Sequence, residues 1–332
     1  CAGTMINFFI RFYSYGAIRR EEFRKKGIPV PVTYLLSPTM RCNLHCGGCY
    51  AGMYNPEDDL EIEVIDRVMS EAKEMGLYVV FILGGEPFIR QDMLDIYRKH
   101  GDVYFYVFTN GTLINAELAK KLARLGNVVP LLSIEGFEKE TDARRGKGVF
   151  QKIMQAMDNL REEGVPFGFS AMVTRFNVDR VLSDEFNDML INKGCLLGWH
   201  FLYIPMGRKP NPRLMPTPEQ RLMMYEKGAR MIRAQKPLLL IDFWNDAPYT
   251  GGCIAGAQHF FHINAHGDVE PCIFIHYAVD NVKEKSLKEC LKSPFFRAFR
   301  ERQPYSPNLL RPCAILDHPH VLREILAEFQ PY

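Results

Sequence analysis

Three cysteines fall within eight residues of this 332-residue chain, and their spacing could support metal chemistry. The spacings from Cys42 to Cys46 to Cys49 are four and three residues, so one loop can wrap three thiolates around a single centre. Gly47 and Gly48 allow the positive φ and the close backbone approach that such a wrap needs. A 4Fe–4S cluster usually takes four cysteines. Three would leave one iron open for a ligand, which catalysis requires.

A zinc knuckle is the alternative interpretation of the same loop. Zinc sites usually bring two pairs of ligands, and four ligands close the coordination shell. A compact triplet directly after the first predicted strand of an alternating pattern fits a cluster better than it fits zinc.

Composition sets the class of protein in which this loop lies. An apolar fraction of 47% and a charged fraction of 24% are those of an ordinary globular protein, and a net charge of +2 gives no reason to expect nucleic acid. No apolar run approaches the ~20 residues that span a bilayer, and the start lacks a secretory signal pattern. We therefore expect a cytoplasmic protein whose clustered thiolates bind metal and do not form a disulfide scaffold.

From Thr33 to Tyr203, short apolar runs alternate with longer helical patterns. Apolar residues three and four apart, such as Ile65, Val68 and Ala72, are typical of the helices. The predicted strands are Tyr34–Ser37, Tyr78–Leu83, Val103–Thr109, Val128–Ile134, Phe167–Thr174 and Leu196–Tyr203. Six such alternations predict an α/β fold, a partial (β/α)6 TIM-like barrel, with the active site at the carboxyl ends of its strands.

The pattern changes after Tyr203, where five prolines within fourteen residues indicate a linker. The expected elements are then a helix over 218–235, a strand over 238–243, a hairpin over 259–275 with Gly267 in its turn, and a helix over 286–300. The predicted domains are an N-terminal helical segment (1–32), the barrel (33–235) and a C-terminal extension (236–332).

With an aromatic residue, Tyr50, directly after its last cysteine, the C-x3-C-x2-C loop resembles the signature of the radical SAM superfamily. The resemblance implies that Cys42, Cys46 and Cys49 hold a 4Fe–4S cluster. Its open iron would chelate the amino and carboxylate groups of S-adenosylmethionine, whose reductive cleavage gives a 5′-deoxyadenosyl radical.

A second motif supports the resemblance. The run Gly84, Gly85, Glu86, Pro87 ends the second predicted strand, where family members contact the methionine amino group. Main-chain carbonyls and a carboxylate are acceptors for an ammonium donor. A plain glycine-rich turn is the alternative.

Further candidate S-adenosylmethionine contacts end the next two predicted strands. Asn110 ends the third, and Ser133 and Glu135 end the fourth, at positions where the family touches ribose or the methionine moiety. The family usually carries aspartate where this chain has Glu135. Arg144 or Arg145 would pair with the S-adenosylmethionine carboxylate, and we assign this role to Arg145; a solvated arginine at a helix end is the alternative.

Three cysteines near the C-terminus are the second candidate metal set. Cys272 follows Gly267 in a G-x4-C arrangement that resembles SPASM or twitch extensions, which bind auxiliary iron–sulfur clusters. Cys253, Cys272 and Cys313 would hold one auxiliary 4Fe–4S cluster, its fourth iron bound by another residue, by substrate or by water. The candidate fourth ligands are Asp317, His318 and His320. A zinc site or buried thiols are the alternatives, and Cys195 and Cys290 are expected to be packed thiols.

The resemblance implies an enzyme that abstracts hydrogen from an unidentified substrate, with a peptide as one candidate. A small molecule such as a lipid or cofactor precursor is the alternative. A non-enzymatic electron carrier is the third reading, but it would not need the motif Gly84–Pro87. Expected partners are S-adenosylmethionine and reduced flavodoxin or ferredoxin as electron donor. The aromatic and basic segment Met5–Lys26 either fills the barrel floor or lies on a membrane surface.

Overall fold

The computed structural model describes residues 10–329, and the chain forms two compact units that are interleaved in sequence. Within the described range, the first unit comprises 10–41, 57–105 and 247–329, and the second comprises 42–56 and 106–246. These units cross the predicted boundaries at 32/33 and 235/236, which remain a prediction. The first nine residues, and with them part of the segment Met5–Lys26, lie outside the described residues.

The first unit is built on a small sheet with β1 at its centre. Its strands are β1 (Tyr34–Leu36), β2 (Val79–Ile82), β8 (His262–Ile263) and β9 (Val269–Glu270), together with the start of β3 (Tyr104–Thr109). Both β2 and β8 run parallel to β1, so Leu36 is paired with Ile82 on one side and Ile263 on the other. The antiparallel β8–β9 pair confirms the predicted hairpin, and Gly267 lies in its turn with a φ of 92°.

Helices cover this sheet and the C-terminal loops of the same unit. They are a π-helix (Ile10–Tyr15), α1 (Gly16–Lys25), α2 (Ile62–Glu74), a 3-10 turn (Pro87–Ile89), α3 (Met93–Lys99), α11 (Ala247–Thr250), α12 (Leu287–Leu291), α13 (Pro294–Glu301) and α14 (Pro319–Phe329). The helix predicted over 286–300 is wrong as one element. Pro294 divides it into α12 and α13, because proline cannot continue a helix but fits the first position of a new one.

The second unit contains the rest of β3 and four parallel strands. These are β4 (Val128–Ser133), β5 (Gly168–Val173), β6 (Leu197–Leu202) and β7 (Leu239–Asp242). All six strands predicted before the linker are confirmed, and the run predicted over 238–243 adds β7 parallel to β6. Partners in a parallel sheet point to the same side, so Ser133, Ser170 and Trp199 share one face. His200 points to the opposite face.

Helices pack on the face that carries His200. They are α4 (Ala116–Leu125), α5 (Glu138–Arg145), α6 (Val149–Glu162), α7 (Val178–Val181), α8 (Asp184–Lys193), α9 (Pro218–Met223), a π-helix (Met224–Ile232) and α10 (Arg233–Gln235), with 3-10 turns at Tyr50–Met53 and Pro212–Leu214. Local chemistry sets their starts: Asn115 accepts from the Leu118 N–H, and Ser183 accepts from the Phe186 N–H. No helix between residues 10 and 329 is long and apolar enough to cross a membrane.

Candidate active site and iron–sulfur sites

The loop Cys42–Cys49 belongs to the second unit and is held by its main chain. The Gly47 N–H donates to the Arg144 carbonyl (3.2 Å), the Gly48 N–H donates to the Arg208 carbonyl (3.0 Å), and the Arg208 N–H donates to the Cys49 carbonyl (2.9 Å). The loop is therefore fixed by two segments of the same unit, the end of α5 and the chain that follows β6. Neither contact depends on a side chain of the loop.

Glycine is required where these segments meet. Gly48 has a φ of 65°, and a Cβ there would lie 2.7 Å from the Tyr203 ring. Gly207 has a φ of 78°, and a Cβ there would lie 2.0 Å from the Cys49 carbonyl oxygen. Any larger residue at either position would force the cysteine loop to move.

Asn110, at the end of β3, contacts the start of the loop. Its Nδ2 donates to Asn43 Oδ1 (2.8 Å) and lies 3.9 Å from the Cys42 sulfur. Its Oδ1 accepts from the Thr112 N–H and hydroxyl, and Asn43 donates in turn to that hydroxyl. Asn110 is buried, and its hydrogen bonds join the end of β3 to the cysteine loop.

The most strongly charged group of the site surrounds Glu135. This carboxylate is 1% exposed and accepts from Arg144 (2.6 Å), from Arg145 (2.9 and 2.6 Å) and from the Met172 N–H (2.9 Å). Burial alone would raise the pKa of Glu135, but the two guanidinium groups outweigh it and hold the pKa below its usual value. The group is an ionised carboxylate shared by two arginines.

Arg145 links this carboxylate to the cysteine loop electrostatically. Burial lowers its pKa, but the negative charge of Glu135, together with the proximity of Cys46 and Cys49, raises it by more, so the net shift is upward. Arg145 therefore places a fixed positive charge beside two of the three sulfurs. Its Nε and one terminal nitrogen are already used by Glu135, a contact that the sequence did not predict.

The face of the sheet that carries Ser133 is aromatic towards β6. Ser133 Oγ lies 3.2 Å from Ser170 Oγ. Beside them, the rings of Phe108, Phe201 and Phe243 contact one another or the Trp199 indole, with centroids 5.0 to 5.7 Å apart. The three phenylalanines are half-buried, whereas Trp199 is buried. The second unit thus offers an apolar aromatic surface on the face that carries Ser133.

The Gly84–Pro87 motif lies in the first unit, against the residues that lead into Cys42. The Gly85 N–H donates to the Thr39 carbonyl (2.9 Å) and the Glu86 N–H donates to the Arg41 carbonyl (2.8 Å). A Cβ at Gly84 or Gly85 would lie 2.1 or 2.0 Å from those carbonyl oxygens, which explains both glycines. The Glu86 carboxylate is fully buried and accepts from the Phe88 N–H (3.1 Å), where it caps a 3-10 turn.

The three C-terminal cysteines influence one another electrostatically within the first unit. Burial raises the pKa of Cys253 to about 12, and the neighbouring Cys313 thiolate adds to the shift. Burial likewise raises the pKa of Cys272, to which Cys253 and Cys313 both contribute. All three sulfurs also act on Tyr305, whose pKa is raised by its own burial and by theirs. Three thiols separated by sixty residues in sequence are therefore electrostatic neighbours.

Backbone N–H groups point at the candidate ligand sulfurs of both sets. Leu44 donates to Cys42 (3.5 Å) and Leu316 donates to Cys313 (3.5 Å), and the N–H groups of Ala255 and Phe274 lower the pKa values of Cys253 and Cys272. Such donors stabilise thiolates, so the surroundings fit metal-bound sulfur. Among residues 10–329, no three His, Cys, Asp or Glu side chains converge so as to share one metal ion. A 4Fe–4S cluster makes a different demand, since each cysteine binds a different iron.

The structure also locates the candidate fourth ligands and the two cysteines that were expected to be packed thiols. Asp317 accepts from the Cys313 N–H (3.1 Å), His318 contacts the Arg311 carbonyl (2.8 Å) and His320 is exposed. Cys195 and Cys290 are buried with pKa values raised by burial, as expected for packed thiols.

Sequence reasoning missed a buried hydrogen-bond chain in the first unit. His262 contacts Ser37 Oγ (2.8 Å) through Nε2 and the Glu270 carboxylate (2.7 Å) through Nδ1, and Asn264 donates to the same carboxylate (3.0 Å). All four side chains are at most 2% exposed. The chain ties the end of β1 to the β8–β9 hairpin, two residues before Cys272. Ser37 and His262 are 225 residues apart, so no local pattern could have indicated their contact.

Comparison with known proteins agrees with this arrangement. The radical SAM superfamily profile matches residues 36–183, and an iron–sulfur cluster-binding domain profile, SPASM, matches residues 253–314. The chain belongs to the radical SAM superfamily. It is accordingly an enzyme that uses a 4Fe–4S cluster and S-adenosylmethionine, with an auxiliary iron–sulfur domain, and the fold class predicted from sequence is confirmed.

Individual relatives carry different activities. The chain is 32% identical over 267 residues to the mycofactocin maturase MftC of Mycolicibacterium smegmatis, covering 76% of this chain and 67% of that protein. It is 29% identical over 240 residues to the Fe-coproporphyrin III synthase of Methanosarcina barkeri, covering 69% of this chain but only 59% of that protein. Among solved structures, Streptococcus suis SuiB bound to S-adenosylmethionine superposes with a TM-score of 0.70 at 19% identity, covering 88% of this chain and 74% of SuiB.

Proposed function

We propose that Cys42, Cys46 and Cys49 hold the radical-generating cluster and that this enzyme modifies a peptide. The observation that carries the cluster assignment is the meeting of the cysteine loop with two strand ends in one unit. Asn110 from the end of β3 binds the loop, and Arg145, held by Glu135 beyond the end of β4, lies beside its sulfurs. This is the carboxyl edge of a parallel sheet, where active sites of such folds occur.

Each residue of this edge has a role in the proposal. When bound, the cluster and S-adenosylmethionine together supply a 5′-deoxyadenosyl radical. Asn110 keeps the loop in position, and Ser133 offers a hydroxyl on the face where the nucleoside would lie. Glu135 holds Arg145 as a fixed cation for the S-adenosylmethionine carboxylate, a role that fits because that guanidinium has donors left after its contacts with Glu135.

We assign the methionine amino group to the Gly84–Pro87 turn. The buried Glu86 carboxylate caps the turn through the Phe88 N–H, so it holds the shape of the turn. The main-chain carbonyls of Gly84 and Gly85 are the acceptors in this assignment. Glu86→Ala removes this cap and should displace the carbonyls, so that the ammonium loses a charged hydrogen bond of roughly 1.5–3 kcal/mol. S-adenosylmethionine binding should then weaken about tenfold or more, while the cluster absorbance survives.

A peptide substrate is supported by the relatives and by the aromatic face. MftC is named a maturase, another relative is named a PqqA peptide cyclase, and SuiB has been solved with a precursor peptide. The half-buried rings of Phe108, Phe201 and Phe243 give an apolar surface on which an aromatic side chain of a peptide could pack edge to face. Such a surface also excludes water from a radical.

A tetrapyrrole is the second candidate substrate, favoured by one specific observation. The chain between Tyr203 and Pro218 contains Arg208, Lys209 and Arg213 but no acidic residue. A planar ring that bears carboxylates could lie on the aromatic face and meet these cations. Fe-coproporphyrin III synthase, a relative over part of its length, acts in that chemical class by its name.

We further propose that Cys253, Cys272 and Cys313 hold the auxiliary cluster and that reduced ferredoxin or flavodoxin is the electron donor. Convergence of the three thiols in one unit, with N–H donors at their sulfurs, supports the ligand set. A membrane surface as partner also remains a proposal.

The cluster assignment is tested by anaerobic reconstitution. The protein should hold about eight iron atoms, since two 4Fe–4S clusters are proposed, and should release 5′-deoxyadenosine with dithionite and S-adenosylmethionine. Replacing Cys42, Cys46 and Cys49 by Ala should abolish the release and leave roughly half of the iron. Cys195→Ala is the matched control and should change neither value. Undiminished release from the triple variant would reject the assignment.

The substrate proposal needs a separate assay. Peptides encoded beside the gene, and coproporphyrin as the alternative, would be incubated with the reconstituted enzyme and examined by mass spectrometry. A mass loss on a peptide that disappears in Phe201→Ala, with 5′-deoxyadenosine still released, supports the peptide proposal. Modification of coproporphyrin alone would replace it with the second candidate.

A further inference from the structure

A basic cavity of about 400 Å³ lies in the first unit, away from the cysteines of either set in sequence. It is lined by Arg24, Lys26, Gly27, Pro29, Lys292, Arg297 and Arg300. Five of these seven residues are cationic and none is acidic. The net charge of the whole chain is only +2, so this concentration of like charge is local.

Four of the five cations have no salt bridge within the described residues. Arg24 is paired with Glu21 at 2.7 Å. For Lys26, Lys292, Arg297 and Arg300, no carboxylate between residues 10 and 329 lies within 4 Å. The Lys26 ammonium lies over the Phe23 ring instead, with 5.7 Å to its centroid.

The lack of a counter-charge is unfavourable for Arg300. One of its terminal nitrogens is buried and has no hydrogen-bond partner in the described chain. Burial, together with the charge of neighbouring Arg297, lowers the pKa of Arg300 to about 10 against a smaller opposing effect of Glu301. A buried guanidinium donor without an acceptor is unfavourable. An anion in the cavity would supply both the acceptor and the missing negative charge.

Another cavity of this unit lacks this imbalance. It measures about 510 Å³, and its two arginines face carboxylates: Arg41 is paired with Asp59 at 2.5 Å, and Arg90 is paired with Asp92 at 2.6 Å. The fold therefore pairs cations within a cavity where acidic residues are provided. No acidic residue lines the cavity that contains Arg297 and Arg300, and Glu301 lies outside its lining.

We propose that this basic cavity binds a phosphate-type oxyanion, carried either by a soluble phosphate ester or diphosphate or by a lipid headgroup. Planar guanidinium groups match phosphate oxygens with paired hydrogen bonds, and two lysines add point charges. The cavity is a ligand site that is independent of the peptide proposed as substrate.

Calorimetry on the anaerobically reconstituted protein tests the site, with inorganic pyrophosphate as probe. We expect saturable one-to-one binding that weakens with added salt, since screening reduces such attraction. Arg300→Met should reduce the affinity about tenfold or more, as expected when a charged hydrogen bond is lost. Arg302→Met is the matched control: it removes the same charge from a residue that pairs with Glu328 and does not line the cavity. It should bind pyrophosphate as the unmodified protein does.

Vesicle flotation distinguishes the two sources. Co-flotation with phosphatidylcholine vesicles containing phosphatidic acid, lost in Arg300→Met, would assign the anion to a lipid headgroup. Pyrophosphate binding without co-flotation would assign it to a soluble phosphate. Lys292→Met, at an exposed position, should weaken binding as well and covers the case in which Arg300→Met fails to fold. If neither probe binds, or if the Arg302→Met control loses binding equally, the proposal is wrong.

Discussion

His200 gives the sharpest test of the packing described for the second unit. It lies on β6, is 0% exposed, and neither ring nitrogen has a hydrogen-bond partner among the described residues. The Phe169 ring is 6.1 Å away, and a Cβ at Gly228 of the π-helix would come within 3.8 Å of Nδ1. Burial lowers the pKa of His200 from 6.5 to about 3. The folded state therefore keeps this imidazole neutral.

The sign and size of the effect follow from linkage. The folded pKa lies below the unfolded one, so the stabilisation is fully present above pH 6.5 and is lost as the pH falls towards 3. In the unfolded state the ratio of protonated to neutral histidine rises from about 0.1 at pH 7.5 to about 10 at pH 5.5. The unfolding constant is proportional to one plus this ratio, so it rises from about 1.1 to about 11 in relative terms. This tenfold rise corresponds to about 1.4 kcal/mol. Any folded pKa below about 4.5 gives nearly the same figure.

Urea denaturation at pH 7.5 and 5.5 measures this loss directly. The only two tryptophans, Trp199 and Trp244, both lie in the second unit, so their fluorescence reports the unit that contains His200. Other groups titrate too, and the comparison with His200→Leu removes their contribution. The unmodified protein should lose about 1.4 kcal/mol more than the variant between the two pH values. Equal losses would mean that His200 is hydrated or paired in solution, and the packing argument would fail.

Three further predictions concern the proposed site and its support. Removing Cys253, Cys272 and Cys313 together should lower iron by about four atoms per chain, because one 4Fe–4S cluster is lost, while 5′-deoxyadenosine release persists; unchanged iron in the folded variant would contradict the ligand set. Glu135→Gln should weaken S-adenosylmethionine binding about tenfold in equilibrium titration, because the buried arginines lose their counter-charge; unaltered affinity would remove Arg145 from the site. His262→Phe should lower the free energy of unfolding by about 1–3 kcal/mol, because Glu270 Oε2 and the Ser37 hydroxyl lose their buried partner. Denaturation measures this loss, with His320→Gln as the exposed control.

The strands were predictable because each is a short apolar run, and burial enforces that pattern. Val79, Val80 and Ile82 of β2, for example, are at most 5% exposed. The helix over 286–300 was predicted as one element because its apolar spacing continues across Pro294. The missing N–H of that proline outweighs the periodicity. Periodicity reports which face is buried and does not report where the hydrogen-bond ladder is interrupted.

The candidate site likewise has features that the sequence could predict and features that it could not. The cysteine loop was visible because its chemistry is local, and the Gly84–Pro87 turn was visible because main-chain contacts require its two glycines. What the sequence could not reveal are contacts between distant segments. Met172 donates to Glu135 from the neighbouring strand, and His262 joins Ser37 to Glu270 across most of the chain.

One of these distant contacts explains why position 135 carries glutamate, where the family usually carries aspartate. One carboxylate oxygen accepts from both arginines, and the other accepts from the Met172 N–H on β5. An aspartate, the residue usual at this position in the family, is shorter by one carbon–carbon bond, about 1.5 Å. From this backbone position its carboxylate would end about one bond length short of the place where Glu135 meets the arginines and the β5 main chain. The longer side chain fixes Arg145 to the sheet itself, so the cation beside Cys46 is positioned by β4 and β5 together.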